Sequence, residues 1–176
     1  MAAPIEIDMW QGEIAELEVD AIVIPANETL FMTAPAARGV KLRAGEAVER
    51  ESVGQGPVPA GTAVVTGAGV LPALHVIHAV GVGHDLQPDL ARLGSALEAV
   101  FEIAARMGLN RLASALIGTE RGVFTPAEAV AALATVVRAR AERDAWLPDG
   151  LVIVAASAAE LQAIRAGVDA LRAAVA

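Results

Sequence analysis

Two kinds of hydrophobic patterning alternate along the chain. Short apolar runs rich in β-branched residues are typical of buried strands, and longer segments show the three-to-four-residue spacing of helices. Leu93, Leu97 and Val100 are an example of the second kind. The pattern predicts strands over 4–10, 19–25, 61–66, 75–80, 111–117 and 151–155, and helices over 35–51 with a break near Gly45, 89–107, 125–144 and 157–173.

Sequence signals at the helix ends support this order of elements. Thr125 and Glu128, like Ser157 and Glu160, have the spacing of a capping box, and Pro126 suits the first position of a helix. Alternating strands and helices in the second half predict βαβ units, and the first half adds strands of mixed direction. We therefore expect an α/β fold, a three-layer αβα sandwich with a mixed, largely parallel sheet, formed by a single domain over 1–176.

The predicted topology also indicates where a ligand would bind. The strand over 19–25 ends at Pro25, which cannot donate to a sheet ladder, so pairing is predicted to fail there. Open α/β sheets bind ligands beyond the carboxyl ends of their strands. The loops after residues 25, 80, 117 and 155 should meet at that edge. They would line a cleft with 27–35, 81–86, 118–124 and Ser157.

Composition excludes several classes of function. The net charge is −8 and no basic run occurs, which argues against nucleic acid as a partner. The absence of cysteine excludes disulfides, thiol nucleophiles and thiolate zinc sites, and is compatible with the cytoplasm. The N-terminus lacks the pattern of a signal peptide, and no apolar run has membrane length. We therefore expect a cytoplasmic protein without a membrane partner.

The segment Gly118–Phe124 is a candidate phosphate loop, because it lies between a predicted strand and a capped helix. Backbone N–H groups in such turns bind anions. Glu120 adds a like charge, for which the guanidinium of Arg121 could compensate. The alternative interpretation is an ordinary glycine turn with a surface ion pair.

No catalytic or metal-binding constellation emerges from the remaining polar residues. His75 and His78 differ by an odd number within one strand and should face opposite sides, so we predict no metal site. No nucleophile elbow of a hydrolase occurs. Acid–base candidates at the predicted cleft stand without a diagnostic partner, and no catalytic residue is assigned. They are Glu13, Glu28, His84, Asp85 and Glu120.

Several motifs in order resemble the macro domain, the ADP-ribose-binding module of the Appr-1-p processing family, in its bacterial single-domain type. The motifs are Gln11-Gly12-Glu13-Ile14, Val19-Asp20-Ala21-Ile22-Val23, Ala26-Asn27, Gly61-Thr62-Ala63-Val64-Val65-Thr66, and Leu71-Pro72 followed by His75-Val76-Ile77-His78-Ala79. The resemblance implies a nucleotide ligand, ADP-ribose or a relative, and no bound cofactor. It also implies that the protein could be a hydrolase acting on ADP-ribosyl derivatives.

The resemblance also assigns roles to individual positions. Glu13 stands where the family has an adenine-binding Asp, and Asn27 matches the ribose-contacting Asn. The family's first glycine loop falls on 33–36, which contains no glycine, and Glu120 replaces the central glycine of the second loop. The predicted ligand-binding residues are Glu13, Ile14, Asn27, Thr33, Ala34, Pro35, Ala36, Gly118, Thr119, Glu120, Arg121, Gly122 and Phe124.

The altered phosphate loops leave two hypotheses open. Either the chain still binds ADP-ribose or a related nucleotide, or it is a degenerate macro domain that serves as an interaction or structural module. If each lost donor costs ~1–3 kcal/mol, two or three losses would abolish a micromolar affinity. A third hypothesis is a different anionic ligand read by Arg38 or Arg121. The sequence does not indicate an oligomeric state.

Overall fold

The structure, a computed structural model, describes residues 5–176. Positions 1–4, which include the first residue of the predicted strand 4–10 and the start of the predicted domain, lie outside the described residues. The elements in chain order are β1 (Glu6–Gln11), a first 3-10 turn (Ile14–Glu16), β2 (Ala21–Pro25), α1 (Pro35–Ala44), α2 (Glu46–Val53), β3 (Thr62–Gly67), β4 (His75–Val80), α3 (Leu90–Met107), β5 (Arg111–Ser114), a second 3-10 turn (Glu120–Gly122), α4 (Pro126–Glu142), β6 (Gly150–Ala155) and α5 (Ala158–Val175).

The six strands form one sheet in the order β1-β6-β5-β2-β4-β3. All neighbouring strands run parallel except β3, which pairs antiparallel with β4 at one edge. Because the helices connect parallel strands, the carboxyl ends of β1, β2, β4, β5 and β6 lie at the same edge of the sheet. The mixed, largely parallel sheet predicted from the sequence is confirmed.

Helices cover both faces of the sheet. Val23, Ile77 and Ile153 are buried in the core beneath α3, α4 and α5, whereas Ile22 and Val76 are buried in the core beneath α1 and α2. The alternation of successive side chains between the two cores follows from the two-residue period of a strand. The predicted three-layer αβα sandwich is therefore correct.

Some predicted boundaries differ from the structure. The strand predicted over 111–117 ends at Ser114, because after Ala115 donates to Val23 O (2.9 Å) the chain turns and the Thr119 hydroxyl donates to Leu116 O (3.0 Å). The helix predicted over 35–51 is two helices divided at Gly45, whose φ of +97° interrupts the helix. That break was expected, but the second helix continues to residue 53.

The prediction that sheet pairing fails at Pro25 is wrong. Pro25 lies opposite Ala79, and the next residue, Ala26, donates to Ala79 O at 2.9 Å. Ala26 faces β4, so Pro25 faces the opposite side, where β5 has already ended at Ser114. The missing N–H therefore removes no ladder bond, and a proline is tolerated in a central strand.

The capping box predicted at the start of α4 forms completely, and the one predicted at the start of α5 forms in part. Both bonds of the capping box form at Thr125 and Glu128. At α5 only half forms: Ser157 accepts from the Glu160 amide (3.2 Å), but the Glu160 carboxylate binds the Ala156 amide (2.7 Å). Within the described range, no helix is both long and apolar enough to cross a bilayer.

We expect His78 to make the protein sensitive to acid. Burial lowers the pKa of His78 from 6.5 to about 4, while Nε2 lies 3.0 Å from the Thr66 hydroxyl. Between these pH values the unfolded chain binds a proton that the native state refuses, so the free energy of unfolding falls as the pH falls. Relative to His78→Gln, wild type should lose up to ~3 kcal/mol from pH 7 to pH 4, measured by urea denaturation.

The control for this experiment is His75→Gln on the same strand. It should keep the acid-dependent loss, because His78 is intact. Parallel pH profiles for wild type and His78→Gln would show that the buried imidazole is not responsible.

Candidate functional site

A cleft with two lobes borders the carboxyl ends of the parallel strands, at the edge that the strand–helix alternation predicts. The first lobe, about 490 Å³, lies between the first 3-10 turn, α1 and the ends of β5 and β6. The second lobe, about 510 Å³, lies between the loops that follow β2 and β4. Ala34, Pro35, Glu120 and Arg121 border both lobes, and we call these four residues the waist.

Asn27 organises the loop that leads from β2 to the waist. Its Nδ2 donates to Phe31 O (3.0 Å) and to the Thr33 hydroxyl (3.2 Å), and its Oδ1 accepts from the amide and hydroxyl of Thr29. Both amide protons are thus used within the loop. Thr33 accepts from Asn27, so its own hydroxyl proton stays available to the second lobe.

Two side chains of α2 anchor the loop after β2 through hydrogen bonds to its backbone. The Ser52 hydroxyl is buried and donates to Leu30 O at 2.9 Å. The Glu49 carboxylate accepts from the Met32 amide at 2.8 Å and from Lys41 Nζ at 2.6 Å. The Lys41 ammonium is the main cause that lowers the pKa of Glu49, which therefore carries its charge at neutral pH. The loop is thus anchored at two of its buried positions.

The N-terminus of α1 faces the waist. Ala34 is its N-cap and supplies no side-chain cap, and Pro35 is the first helical residue. The first amides of a helix have no intrahelical acceptor. Those of Ala36 and Ala37 also find no other acceptor within residues 5–176. Because Ala36 lines the first lobe, its amide remains available to a ligand anion.

The loop between β5 and α4 contributes the other side of the waist. The amides of Gly122, Val123 and Phe124 are consumed by bonds within the loop. Gly118 has a φ of +102°, and a Cβ there would lie 3.0 Å from Leu93, so backbone conformation and packing require this glycine. Arg121 has a φ of +53°, which is uncommon for a residue with a side chain.

The carboxyl group of Glu120 lies in the waist without a partner. Both oxygens are inaccessible to solvent, and neither has a hydrogen-bond partner in the described part of the chain. Burial raises the pKa of Glu120 to about 7, although the Glu120 and Gly118 amides favour the ionised form. The group is therefore largely protonated in mildly acidic solution, unlike an ordinary surface carboxylate.

Glu28 joins three segments around the second lobe. Its carboxylate accepts from the His84 amide (2.8 Å) and from the Ala60 amide (3.4 Å), and His84 Nδ1 lies 3.3 Å away. The imidazole of His84 is exposed and lines the second lobe. The imidazole ring can form hydrogen bonds with a molecule bound in this lobe.

The first lobe has an apolar floor and a carboxylate at its rim. Ile14, Val40 and Val154 are buried and line the lobe. Glu13 precedes the first 3-10 turn, and its Oε2 lies 3.7 Å from Arg43 Nε in an exposed ion pair. The lobe therefore suits a flat apolar group that carries a hydrogen-bond donor at its edge.

Comparison with known proteins identifies the family. The family model for the Macro domain matches residues 23–133, which is more than half of the chain. The chain belongs to the macro-domain family. This confirms the resemblance drawn from the sequence motifs.

Two uncharacterized proteins are among the relatives of this macro domain. One from Pyrobaculum aerophilum is 36% identical over 140 residues, covering 76% of this chain and 75% of the relative. One from Aeropyrum pernix is 32% identical over 118 residues, covering 66% of this chain and 62% of the relative. The chain thus spans less than two thirds of the second relative.

Solved structures show the same macro-domain fold. The Trypanosoma brucei macrodomain in complex with ADP-ribose has a TM-score of 0.83 at 20% identity and covers 92% of this chain and 68% of that one. The Oceanobacillus iheyensis macrodomain with ADP has a TM-score of 0.78 at 21% identity and covers 93% and 90%. At this level of identity the likeness concerns the fold.

The macro-domain cleft brings together most of the predicted ligand-binding residues, while their contacts with a ligand stay predictions. Those that line it are Glu13, Ile14, Asn27, Thr33, Ala34, Pro35, Ala36, Thr119, Glu120 and Arg121. Gly118 and Phe124 pack into the core instead, and Gly122 has no neighbour where a Cβ would stand. Ser157, expected in the cleft, lines neither lobe and caps α5.

Sequence reasoning missed two parts of the cleft. Glu160 and Ala156 line the first lobe, because the Glu160 carboxylate turns toward the Ala156 amide. The capping-box spacing marked Glu160 for another bond, so the sequence carried no signal for this position. In the described range of the chain, no group of three or more acidic or histidine side chains could hold a metal ion.

The Asn27 network predicts the effect of a single-atom change. Asn27→Asp keeps the acceptor for Thr29 but removes both Nδ2 donors, so we expect the free energy of unfolding to fall by about 1 kcal/mol at pH 7. Urea denaturation measures this change. Gln162→Glu, on the exposed face of α5, should change stability by less than about 0.5 kcal/mol. Equal effects of the two substitutions would contradict a special role for the Asn27 amide.

Proposed function

We propose that this macro domain binds ADP-ribose or a related nucleotide across the two lobes of its cleft. The observation that carries the proposal is the waist, where α1 and the β5–α4 loop approach each other between two cavities of similar size. Each lobe has the volume typical of a small-molecule pocket. The shape favours a ligand with two bulky ends joined by a narrow linker.

The side chains that line the two lobes suit the two different ends of such a ligand. The apolar floor at Ile14 and Val154 suits a purine ring, and the Glu13 carboxylate can accept a hydrogen bond from its amino group. In the second lobe, the Thr33 hydroxyl can donate to a ribose oxygen. The proposed role of Asn27 is to position Thr33, because its own amide is already engaged.

The waist offers donors for a diphosphate linker. The amides of Ala36 and Ala37 stand at the positive end of α1, and Arg121 adds the only basic side chain that lines the described cleft walls apart from His84. The ADP-ribose complex of the T. brucei macrodomain, which shares the fold, further supports this choice of ligand.

Hydrolysis of ADP-ribosyl derivatives is a secondary part of the proposal. It is supported by acid–base groups at the second lobe, namely His84 beside Glu28, and Glu120 at the waist. Incubation with an O-acyl ester of ADP-ribose, followed by chromatography of the products, tests this part separately from binding.

A second candidate function is that of a degenerate macro domain acting as an interaction module. Three features favour it: Pro35 removes one donor from the waist, Glu120 places an acid there, and the Asn27 amide is engaged within its loop. This candidate predicts that purified protein binds no nucleotide even at millimolar concentration.

Isothermal titration with ADP-ribose at pH 6 distinguishes the two candidates, with AMP as the control ligand. We expect micromolar binding of ADP-ribose and weaker binding of AMP, which fills only one lobe. Arg121→Ala should weaken ADP-ribose about tenfold, equivalent to ~1.4 kcal/mol, through loss of the phosphate contact.

Arg38→Ala is the matched control. Arg38 is exposed like Arg121, but it lies on α1 and lines neither lobe. Its removal should therefore leave the affinity for ADP-ribose unchanged. A loss that follows Arg38 instead of Arg121 would point to a different anion site. Absence of binding at millimolar ADP-ribose would leave the interaction module as the function.

A further inference from the structure

We infer that Glu120 is a specificity-determining residue that admits the ligand's anionic linker only as a neutral acid, so that the cleft takes up its ligand together with one proton. The inference rests on the proposed function and concerns the centre of the same site. It follows from the position of the carboxyl group, from its lack of partners and from the charges around it.

The position of Glu120 places it against the middle of any ligand that spans the cleft. Glu120 borders both lobes, opposite Ala34 and Pro35 at the start of α1. A ligand that extends from Ala36 in the first lobe into the second lobe therefore passes Glu120.

The carboxyl group has no cationic side chain beside it that would keep it ionised, and only the Glu120 and Gly118 amides favour the ionised form. Both oxygens are hidden from solvent, and neither accepts a hydrogen bond from the chain between residues 5 and 176. In the same range no arginine, lysine or histidine nitrogen lies within 4 Å of it, although Arg121 is its neighbour in sequence. Burying a charge without a partner is costly, whereas a neutral acid can donate one hydrogen bond.

The other charged groups around the cleft do not reverse the preference of Glu120 for its neutral form. Two further carboxylates add negative charge to the first lobe, and the imidazole belongs to the second lobe. The residues that α1 and its N-cap contribute to the cleft are uncharged, namely Ala34, Pro35, Ala36, Gly39 and Val40. The titratable and charged groups that face the cleft are Arg121 on the same loop, Glu13 before the first 3-10 turn, Glu160 on α5, and His84 with its partner Glu28 on the second-lobe loops.

A phosphate group in the waist and an ionised Glu120 would repel each other, whereas a neutral Glu120 removes this repulsion. Since burial raises the pKa of Glu120 to about 7, both forms exist near neutral pH. Binding only to the neutral form makes the apparent Kd proportional to one over the neutral fraction, which gives an increase of about 30-fold from pH 6 to pH 8.5.

The test is isothermal titration of wild type and Glu120→Gln with ADP-ribose at pH 6, 7, 8 and 8.5. Glutamine keeps the shape and a donor but cannot ionise. We expect the wild-type Kd to rise about 30-fold over this range, while the variant keeps a nearly constant Kd. In buffers of different ionisation enthalpy, wild type should take up about 0.9 proton per ligand at pH 8, and the variant none.

Two control variants separate Glu120 from other groups. His84→Gln removes the imidazole that lines the second lobe, and it should keep the pH dependence. Glu128→Gln removes an acid in the following helix while preserving the capping-box pattern, and it should also behave like wild type. If the pH dependence disappears in His84→Gln and persists in Glu120→Gln, the inference is wrong.

The remaining outcomes are also decisive. Equal pH profiles for wild type and Glu120→Gln would overturn the inference but leave the proposed function standing. Affinity that rises with pH and falls in the variant would mean that an ionised Glu120 accepts from a ligand hydroxyl. Binding by the variant alone would mean that Glu120 blocks the site at every pH. Binding by neither protein would overturn both the inference and the proposed function.

A readout without ligand checks the protonation of Glu120 directly. The native state holds a proton that the unfolded chain releases between pH 4.5 and 7, so wild-type stability falls as the pH rises through that window. Glu120→Gln should therefore gain stability relative to wild type between pH 5 and pH 8 in urea denaturation. A constant difference would show that Glu120 titrates like an exposed acid.

Discussion

The pairing of β2 on both of its edges is the constraint on which the rest of the structure depends. All five residues of this strand are buried, and the strand is bonded to β4 on one side and β5 on the other. Because β5 ends two residues earlier, the chain leaves the sheet at Pro25 toward an open edge. That difference in length creates the space in which the loops of the cleft meet.

The cleft combines a firmly anchored loop after β2 with an acidic residue, Glu120, at its centre. Glu49 and Ser52 hold the loop after β2 through the backbone, so its shape does not depend on a ligand. The waist between the lobes, in contrast, contains an acid that lacks partners and an arginine in a strained conformation. Unsatisfied and strained groups are expected where a site is shaped for binding instead of stability.

The fold could be predicted because its signals are local and repeated. Apolar runs such as Ile22–Ile24 and the capping box at Thr125 each specify one element, and their order specifies the sandwich. The details of the cleft depend on choices between competing hydrogen bonds. The sequence cannot show that Asn27 Nδ2 donates to Phe31 O and to the Thr33 hydroxyl, or that the Glu160 carboxylate accepts from the Ala156 amide. Likewise, the sequence cannot show that both carboxyl oxygens of Glu120 are buried.

The carboxylate of Glu28 has a mechanical consequence for the rim of the second lobe. It binds backbone amides from two other segments, at Ala60 and His84, and its own carbonyl accepts from Val58. Three stretches of chain are thereby fastened to Glu28, and the segments at Ala60 and His84 cannot move outward without breaking a charge-assisted bond to its carboxylate. The rim should open as one cooperative unit, with amides on separate loops becoming accessible to hydrogen exchange together.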